Sequence, residues 1–294
     1  MPPEAPNTAK QKLAALEEHL RGLGSVLVCY SGGVDSAFVL AVAHRVLGPR
    51  AVGMTAVSPS LAPDELEEAV RVAVQTGARH ELVESSEIED ENYAKNHADR
   101  CFYCKSELYR IAAKKRVDWG LDHVLNGTNT DDLGDYRPGL DAAREAGARS
   151  PLVECGLSKA DVRELAAAIG LPIWDKPASA CLSSRLPYGT RVTRERLAQI
   201  ASFESALRKL GLRQLRVRWH SLGEGSADAG TVGGSLARVE IGRSELDAAF
   251  AQRDAIAAAG KAAGFSFVTL DLAGYRTGSH NELLRKSRSL PVVS

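Results

Sequence analysis

The chain has 294 residues, of which 44% are hydrophobic, so it is long enough for two domains with apolar cores. Lysine plus arginine number 37 and aspartate plus glutamate also number 37, and this zero formal charge argues against broad binding to RNA or DNA. No apolar run reaches the roughly 18 residues that a membrane span needs, so no membrane span is expected.

Residues 1–6 lack the basic and apolar pattern of a secretory signal, so we expect a cytoplasmic protein.

Strand and helix patterns alternate through the first two thirds of the sequence. The alternation predicts a doubly wound, mostly parallel α/β sheet of Rossmann-like type, with ligands at the carboxyl ends of the strands. Hydrophobic spacing predicts helices at 8–21, 37–47, 62–76 and 158–169, and strands at 25–30, 51–57, 79–83 and 123–125.

The pattern changes after about residue 187, where a smaller unit begins. We predict helices at 192–210 and 244–263, strands at 214–219, 236–241 and 265–270, and a glycine-rich hairpin loop at 223–234. The sequence therefore predicts two domains, a nucleotide-binding α/β domain at 1–188 and a small α+β domain at 189–294.

The segment 30–36, YSGGVDS, follows the first strand and opens an apolar helix. The first turn of a helix has backbone N–H groups without intrahelical partners, and the helix dipole favours an anion there. Gly32 and Gly33 allow the backbone to approach phosphate, Ser31 and Ser36 add hydroxyl donors, and Asp35 implies a bridging Mg²⁺. The lysine of a Walker A loop is absent. The pattern SGGxDS resembles the PP-loop of the ATP pyrophosphatases, which cleave ATP to AMP and pyrophosphate.

Other residues are expected at the same rim of the sheet. Asp132 follows the fourth predicted strand and is a second candidate for Mg²⁺. Arg185 is a candidate for bidentate binding to phosphate. The residues expected to line the nucleotide are Met54, Gly127, Thr128 and Asn129.

Five cysteines are present, and three of them form a second signal. Cys29 lies in the first strand and Cys155 has no partner motif, so both are interpreted as structural. Cys101 and Cys104 form a CxxC motif at the head of a helix, and Cys181 lies in a small-residue loop near an arginine. A helix N-terminus and a nearby cation both favour a thiolate.

Four interpretations of these three thiols remain open on the residues alone. They are unrelated thiols, or Cys101 and Cys104 are a thioredoxin-like redox pair. Alternatively, the three cysteines bind zinc, with His97 as a fourth ligand. Finally, Cys101, Cys104 and Cys181 hold a 4Fe–4S cluster and leave one iron open for another ligand. The cluster is the interpretation that we favour.

Taken together, the motifs resemble the LarE family of ATP-dependent sulfur transferases over nearly the whole chain. They occur in order as SGGVDS (31–36), DRCFYCK (99–105), GTNTDD (127–132), DYRPG (135–139), PASACLSSR (177–185) and GYRTGS (274–279). That family acts in the synthesis of the nickel-pincer nucleotide cofactor of lactate racemase. The resemblance implies a small nucleotide substrate, pyridinium-3,5-biscarboxylic acid mononucleotide, whose carboxylates become thiocarboxylates. It also implies ATP and Mg²⁺ as cofactors and a homo-oligomer, in related members a hexamer.

Adenylation makes this exchange possible, because AMP leaves readily whereas oxide does not. Cys181 is the candidate nucleophile, and in a sacrificial version it gives up its own sulfur and becomes dehydroalanine. In the cluster version, a sulfide on the open iron is transferred. Family members with a lone cysteine at this position suit the first version, and members with all three suit the second.

Arg216 and Arg218 alternate along a predicted strand and face the same side, so they are candidates for binding the substrate phosphate. Rival functions are amide synthesis, as in NAD or GMP synthetases, and thiolation of tRNA. A binding module that senses ATP without turnover is a further alternative, and release of pyrophosphate from ATP would exclude it.

Overall fold

The computed structural model describes residues 8–134, 138–177, 179–223 and 234–276. The chain divides into two compact units, the first made of Met1–Tyr93 and Ala98–Ser179, and the second of Ala94–His97 and Ala180–Ser294. The boundary between the units lies after Ser179, earlier in the chain than the expected boundary after residue 188. The reason is that Arg185 hydrogen-bonds to Glu204 on a helix of the second unit. Within the described ranges, no helix is both long and apolar enough to cross a membrane.

The first unit contains a four-stranded parallel sheet with the order β3-β2-β1-β4. Val26 of β1 pairs with Ala51 on one side and with His123 on the other. All four residues of β1 are buried, as expected for a central strand with both faces covered. The strands are β1 (Val26–Cys29), β2 (Ala51–Val57), β3 (Arg79–Glu84) and β4 (His123–Leu125).

Helices cover both faces of this sheet, which confirms the predicted doubly wound α/β fold. Successive residues of β1 point to opposite faces, so Val28 lies in one apolar cluster and Leu27 in another. The first cluster includes Phe38 and Leu165, and the second includes Ile111. The helices are α1 (Ala9–Leu23), α2 (Val34–Leu47), α3 (Pro63–Thr76), α4 (Glu91–Ala94), α5 (Arg100–Asp118), α6 (Pro138–Glu145), α7 (Pro151–Glu154) and α8 (Lys159–Ala168).

The second unit is a small α+β structure with a three-stranded sheet of order β5-β6-β7. β5 and β6 are antiparallel, and β6 and β7 are parallel. Its elements are α9 (Arg194–Lys209), β5 (Leu215–Leu222), β6 (Gly234–Ile241), α10 (Leu246–Ala251), α11 (Arg253–Ala262) and β7 (Phe267–Leu270). Most of the predicted loop at 223–234 lies outside the described residues.

The single helix predicted at 244–263 is wrong, because the structure has two helices there. Gln252 lies between them with φ −100° and ψ 15°, outside the α-helical region. Periodic apolar residues continue on both sides of the break, with Ala249 buried before it and Ile256 after it. The hydrophobic pattern therefore did not reveal the interruption.

A capping box begins α8 and joins this helix to α1. The Ser158 hydroxyl accepts from the Asp161 backbone N–H, and the Asp161 carboxylate accepts from the Ser158 N–H. The same carboxylate forms an ion pair with the Lys12 ammonium of α1 at 2.7 Å. Asp161 thus satisfies a helix terminus and links two helices.

Replacing Asp161 by asparagine tests this link. Burial alone would raise the pKa of the carboxyl, but hydrogen bonds from Lys12 and Ser158 outweigh burial and lower the pKa from 3.8 to about 2. A depressed pKa stabilises the fold above the unfolded-state value, and this stabilisation is lost as pH falls towards 2. We expect Asp161→Asn to lower the free energy of unfolding by about 1–2 kcal/mol at neutral pH.

Urea denaturation across a pH series measures the effect. The difference between Asp161→Asn and wild type should narrow below about pH 4, where the carboxyl of the unfolded chain takes up a proton while the native carboxyl, with its pKa of about 2, is still ionised. Glu18→Gln is the control, because Glu18 is an exposed residue of α1 and forms only a surface ion pair. A difference that stayed constant to about pH 3 would contradict this role.

Candidate active site

The YSGGVDS segment forms a tight loop between β1 and α2. Its two serines hold each other, since the Ser31 backbone N–H donates to Ser36 Oγ at 3.1 Å and their hydroxyl oxygens are 3.0 Å apart. Ser36 Oγ in turn donates to the Gly33 carbonyl at 3.1 Å. Gly33 is the N-cap of α2, and as glycine it provides no side-chain cap. The backbone amides of the first turn can therefore donate to a bound anion.

The two glycines of this loop have different reasons to be glycine. Gly32 has φ +74°, and a Cβ there would lie 2.8 Å from the Cβ of Ala69 on α3, so the fold itself requires glycine. Gly33 has φ −81°, and a Cβ there would meet only Ser31 Oγ, at 3.4 Å. The fold does not require glycine at position 33, whereas close approach of an anion to the backbone does. This loop therefore fits a bound phosphate group.

The loop after β4 packs directly against the start of α2. A Cβ at Gly127 would lie 2.6 Å from the backbone nitrogen of Ser36, so only glycine allows this approach. β1 and β4 are neighbours in the sheet but are not consecutive, which makes their carboxyl ends the topological switch point where ligands bind in such sheets. The predicted residues Gly127, Thr128 and Asn129 are brought to the phosphate loop.

Asn129 joins the two candidate metal carboxylates. Its side-chain amide donates to Asp35 Oδ1 at 3.3 Å, and its backbone N–H donates to Asp132 Oδ2 at 3.2 Å. Burial is the main reason that the pKa of Asp35 is raised, with Asp132 adding to it, while Asn129, Lys159 and Arg163 act in the opposite direction. Two carboxylates that both accept from Asn129 have the donor chemistry for Mg²⁺, which would offset the charge of bound phosphate there.

Met54 is placed differently from the other predicted nucleotide residues. It is fully buried on β2, in the apolar cluster that also contains Cys29. Its backbone carbonyl accepts from the Tyr30 N–H at 2.9 Å, which fixes the chain just before the phosphate loop. A contact between the Met54 side chain and the nucleotide stays a prediction.

The CxxC motif lies at the start of α5, as predicted. Cys101 is exposed and Cys104 is half-buried. Lys105 follows them, and burial would lower the pKa of its ammonium, but the surrounding groups Cys104, Tyr109, Cys29 and Cys101 outweigh burial and raise it. Lys105 therefore places a cation beside the sulfurs of the CxxC motif.

The other two cysteines have the structural surroundings expected of them. Cys29 is buried in the first strand, and burial raises the pKa of its thiol to about 12. Cys155 packs against the apolar core, and burial is the main cause that raises the pKa of its thiol to about 11.

The loop that carries Cys181 belongs to the second unit and is held by Arg185. The guanidinium donates to the Ala180 carbonyl at 2.6 Å and to the Cys181 carbonyl at 3.2 Å. Its other edge binds both carboxylate oxygens of Glu204, at 2.8 and 3.1 Å. The expected bidentate bond from Arg185 to phosphate is therefore corrected, because the buried Glu204 already occupies that fork. Arg185 positions the exposed Cys181.

The two arginines of β5 also differ from each other. Arg218 is buried, binds Glu240 at 3.0 Å and donates to the Ser184 carbonyl at 2.8 Å. Arg218 was expected to bind the substrate phosphate, but its guanidinium is already paired with the carboxylate of Glu240. Arg216 is half-buried and stacks on Tyr275, with the guanidinium carbon 4.5 Å from the ring centroid. Burial lowers the pKa of Arg216, and Arg218 and Arg185 lower it further. Within the described ranges, no carboxylate forms an ion pair with Arg216.

The described residues contain no preassembled group of three His, Cys, Asp or Glu side chains suited to a metal ion. Cys101 and Cys104 belong to the first unit and Cys181 to the second. Three parts of the predicted motifs, at 135–137, 178 and 277–279, lie outside the described residues.

Sequence reasoning missed one basic residue beside the phosphate loop. The Lys176 ammonium lies 2.7 Å from Glu65 Oε2 and 2.5 Å from Glu68 Oε2 on α3. It also donates to the Gly32 carbonyl at 3.3 Å. Its place directly before the motif at 177–185 could have marked Lys176 as a site residue. Its role was missed because its partners Glu65 and Glu68 are more than 100 residues away in the sequence.

The sheet, its switch point and this anion loop define an ATP pyrophosphatase domain. The asparagine synthase family matches residues 10–224. The chain is 43% identical over 280 residues to the uncharacterized protein slr1717 of Synechocystis sp., covering 94% of this chain and 99% of the relative. It is 36% identical over 282 residues to pyridinium-3,5-bisthiocarboxylic acid mononucleotide synthase of Lactiplantibacillus plantarum, covering 96% and 98%. It is 28% identical over 194 residues to tRNA-specific 2-thiouridylase MnmA of Rickettsia peacockii, about half of each chain (53% and 52%).

The chain belongs to the LarE family of ATP-dependent sulfur transferases, within the PP-loop ATP pyrophosphatases. The resemblance inferred from the motifs is confirmed. The protein is an enzyme that uses ATP to transfer sulfur.

Alanine at each loop glycine separates folding from phosphate binding. Gly33→Ala should change the free energy of unfolding by about 1 kcal/mol or less, because its backbone is ordinary and only an N-cap preference is lost. ATP binding should nevertheless be lost, because a methyl group stands where the phosphate approaches. Gly32→Ala should destabilise the fold by more than about 1 kcal/mol, because its φ is positive and Ala69 is too close. Urea denaturation and calorimetric ATP titration measure both, and normal ATP affinity in Gly33→Ala would contradict the site.

Asp35→Asn should lose activity without losing stability. A carboxyl with a raised pKa costs stability when it ionises, so a neutral amide leaves the Tm at neutral pH unchanged or higher. Release of AMP should slow by about 100-fold or more, because a charge-stabilising contact to the phosphates is removed. Thermal unfolding and AMP release are measured on the same preparation. A marked loss of Tm would instead indicate a structural role for the carboxylate.

Proposed function

We propose that this enzyme converts the carboxylates of pyridinium-3,5-biscarboxylic acid mononucleotide into thiocarboxylates, a step in making the nickel-pincer nucleotide of lactate racemase. The main support is the phosphate loop at the β1/β4 switch point, in a chain whose match to the named synthase covers 96% of its length. The cysteine motifs supply the sulfur chemistry that ATP cleavage alone lacks.

The first half-reaction activates a carboxylate. A carboxylate oxygen of the substrate attacks the α-phosphorus of ATP, the bond to the β-phosphate breaks, and pyrophosphate leaves. Ser31, Gly32, Gly33 and Ser36 hold the departing pyrophosphate through backbone N–H and hydroxyl donors. Asp35 and Asp132 would hold Mg²⁺, which would offset charge on the phosphate oxygens. The product is a mixed anhydride in which AMP is the leaving group.

The second half-reaction installs sulfur, and Cys181 is central to it. In the sacrificial version, the Cys181 thiolate attacks the activated carbon, a C–S bond forms, and the C–O bond to AMP breaks. A base then removes the Cys181 Cα proton. The Cβ–S bond breaks, giving a thiocarboxylate and dehydroalanine. The exposed thiol and the fixed carbonyls of Ala180 and Cys181 support this role.

The version that we favour uses Cys101, Cys104 and Cys181 as ligands of a 4Fe–4S cluster. None of the three cysteines forms a disulfide, and the Lys105 ammonium lies beside the CxxC motif. When bound, such a cluster supplies an open iron that holds a replaceable sulfide. A CxxC pair has no purpose in a purely sacrificial enzyme, and this is the reason for the preference.

Arg216 is the candidate for the substrate phosphate. It is the arginine of β5 that the described carboxylates leave unpaired, and burial is the main cause that lowers the pKa of its guanidinium, so a bound anion would stabilise its charge. Arg218 supports the site by fixing the Cys181 loop through Ser184. We also propose a cytoplasmic location, which suits five cysteines that form no disulfide, and a homo-oligomer that by resemblance is a hexamer.

Anaerobic reconstitution tests the sulfur source. Protein with the cluster should contain about four irons per chain, and added sulfide should support more than one turnover. Cys101→Ala, Cys104→Ala and Cys181→Ala should each lose the iron, whereas the control Cys155→Ala should keep it. Mass spectrometry should find Cys181 intact after several turnovers.

Other outcomes would overturn this proposal. Dehydroalanine at position 181 that increases in proportion to thiocarboxylate would contradict the cluster version and support the sacrificial one. Zinc in place of iron would contradict the cluster as well. Transfer of sulfur to tRNA instead of the pyridinium nucleotide would indicate the function of the 2-thiouridylase relative.

A further inference from the structure

A hydrogen-bonded chain of three residues ends at the carbonyl directly before the phosphate loop. The Thr55 hydroxyl on β2 donates to the Tyr30 carbonyl at 2.7 Å, and His80 Nε2 on β3 lies 2.8 Å from the same hydroxyl oxygen. The His80 ring also meets the Tyr30 ring edge-on, with 5.1 Å between the centroids. Because β2 lies between the edge strand β3 and β1, the chain crosses the sheet from its edge to the loop.

The direction of these hydrogen bonds follows from the chemistry of a hydroxyl group. A threonine hydroxyl has a single hydrogen, and here the Tyr30 carbonyl accepts it. The Thr55 oxygen is therefore the acceptor in its bond with His80, and Nε2 of the imidazole must carry a proton. Burial lowers the pKa of His80, with Glu81 acting in the opposite direction, so the ring is neutral at neutral pH and keeps its one proton on Nε2.

The carbonyl that Thr55 holds belongs to the same peptide group as the Ser31 N–H. That group is planar, so its carbonyl and its N–H turn together. The N–H donates to Ser36 Oγ at 3.1 Å, and Ser36 Oγ lies 3.0 Å from Ser31 Oγ. Thr55 thus fixes one side of a peptide whose other side sets the contact between the two serines expected to bind phosphate.

The other polar groups of Tyr30 are held independently of Thr55. The Tyr30 N–H donates to the Met54 carbonyl at 2.9 Å, and the phenol hydroxyl donates to the Ala69 carbonyl at 2.9 Å. Thr55 itself is only 2% exposed, so a carbonyl that lost its hydroxyl donor would be left unpaired in a buried place, which is costly. Without that donor, the peptide group before the loop would turn towards another partner while the rest of Tyr30 stayed in place.

We propose that Thr55 is a positioning residue for pyrophosphate binding and that His80 orients the Thr55 hydroxyl. The pair holds the peptide before the loop in the orientation in which Ser31 and Ser36 present their donors to phosphate oxygens. Both residues act through the Tyr30 carbonyl rather than through contact with the ligand. The proposal rests on the phosphate loop as the site of pyrophosphate and is independent of where the transferred sulfur originates.

Calorimetric titration with inorganic pyrophosphate and Mg²⁺ measures this role without the pyridinium substrate. Thr55→Val keeps the shape but removes the hydroxyl, and pyrophosphate affinity should fall by about tenfold, which corresponds to one hydrogen bond. Thr55→Ser should restore the affinity. His80→Leu should weaken binding by about threefold, because the hydroxyl loses one of its two partners, whereas His80→Gln keeps an N–H donor and should bind as wild type does. Thr76→Val is the matched control, because the Thr76 hydroxyl donates to the Ala73 carbonyl within α3, at 2.8 Å.

Long-range ¹H–¹⁵N correlation spectra of the histidine rings add a readout that a merely structural role would not move. Neutral His80 should show its proton on Nε2, and Thr55→Val should abolish that preference while Thr76→Val leaves it unchanged. If Thr55→Val does not fold, the His80→Leu and His80→Gln pair carries the test.

Three results would overturn the proposal: wild-type affinity in both Thr55→Val and His80→Leu, an equal loss in Thr76→Val, or a proton on Nδ1 of neutral His80. Gly33→Ala in the same titration tests the site itself. Normal affinity in that variant would mean that the loop is not the pyrophosphate site. Lost affinity there, beside normal affinity in Thr55→Val and His80→Leu, would mean that only the positioning role fails.

Discussion

The close packing of the loop after β4 against the first turn of α2 is the constraint on which this site depends. A Cβ at Gly127 would lie 2.6 Å from the Ser36 nitrogen, so the two segments meet only because this residue is glycine. The packing follows from the sheet order, because β4 lies parallel beside β1 and the carboxyl ends of both strands lie at the same edge of the sheet. From it follow the contacts of Asn129 with Asp35 and Asp132, and hence the placement of two carboxylates beside an anion loop.

Buried charge performs the corresponding task in the second unit. Glu204 is fully buried, binds Arg185 and also accepts from the Val217 backbone N–H at 3.0 Å. The charges of Arg185 and Arg208 and the hydrogen bonds to Arg185 and Val217 outweigh burial, so the pKa of Glu204 lies below its ordinary value. Removing one partner of such a pair leaves an uncompensated buried charge, which is strongly destabilising. Glu204 binds Nε and Nη2 of Arg185, so Nη1 remains to donate to the Ala180 and Cys181 carbonyls. The Cys181 thiol stays exposed.

The fold and the phosphate loop were predictable because they depend on local signals. Each of these signals, such as the periodicity of a strand or the SGG turn, is carried by residues that are only a few positions apart in the sequence. The role of Arg185 was not predictable, because nothing local identifies a buried glutamate on another element as its partner. The contacts of Lys176 could not be predicted for the same reason, because Glu65 and Glu68 are distant from it in the sequence. The break at Gln252 lacks the glycine or proline that would have marked it.

The central claim is that ATP activates a carboxylate of the substrate, and an isotope measurement tests it most directly. The pyridinium substrate is prepared with ¹⁸O in its carboxylates and allowed to react with ATP and a sulfur source. If the carboxylate attacks the α-phosphorus, one labelled oxygen from each exchanged carboxylate must leave with AMP. The account predicts ¹⁸O in AMP, in proportion to thiocarboxylate formed. Unlabelled AMP beside labelled phosphate or water would contradict it.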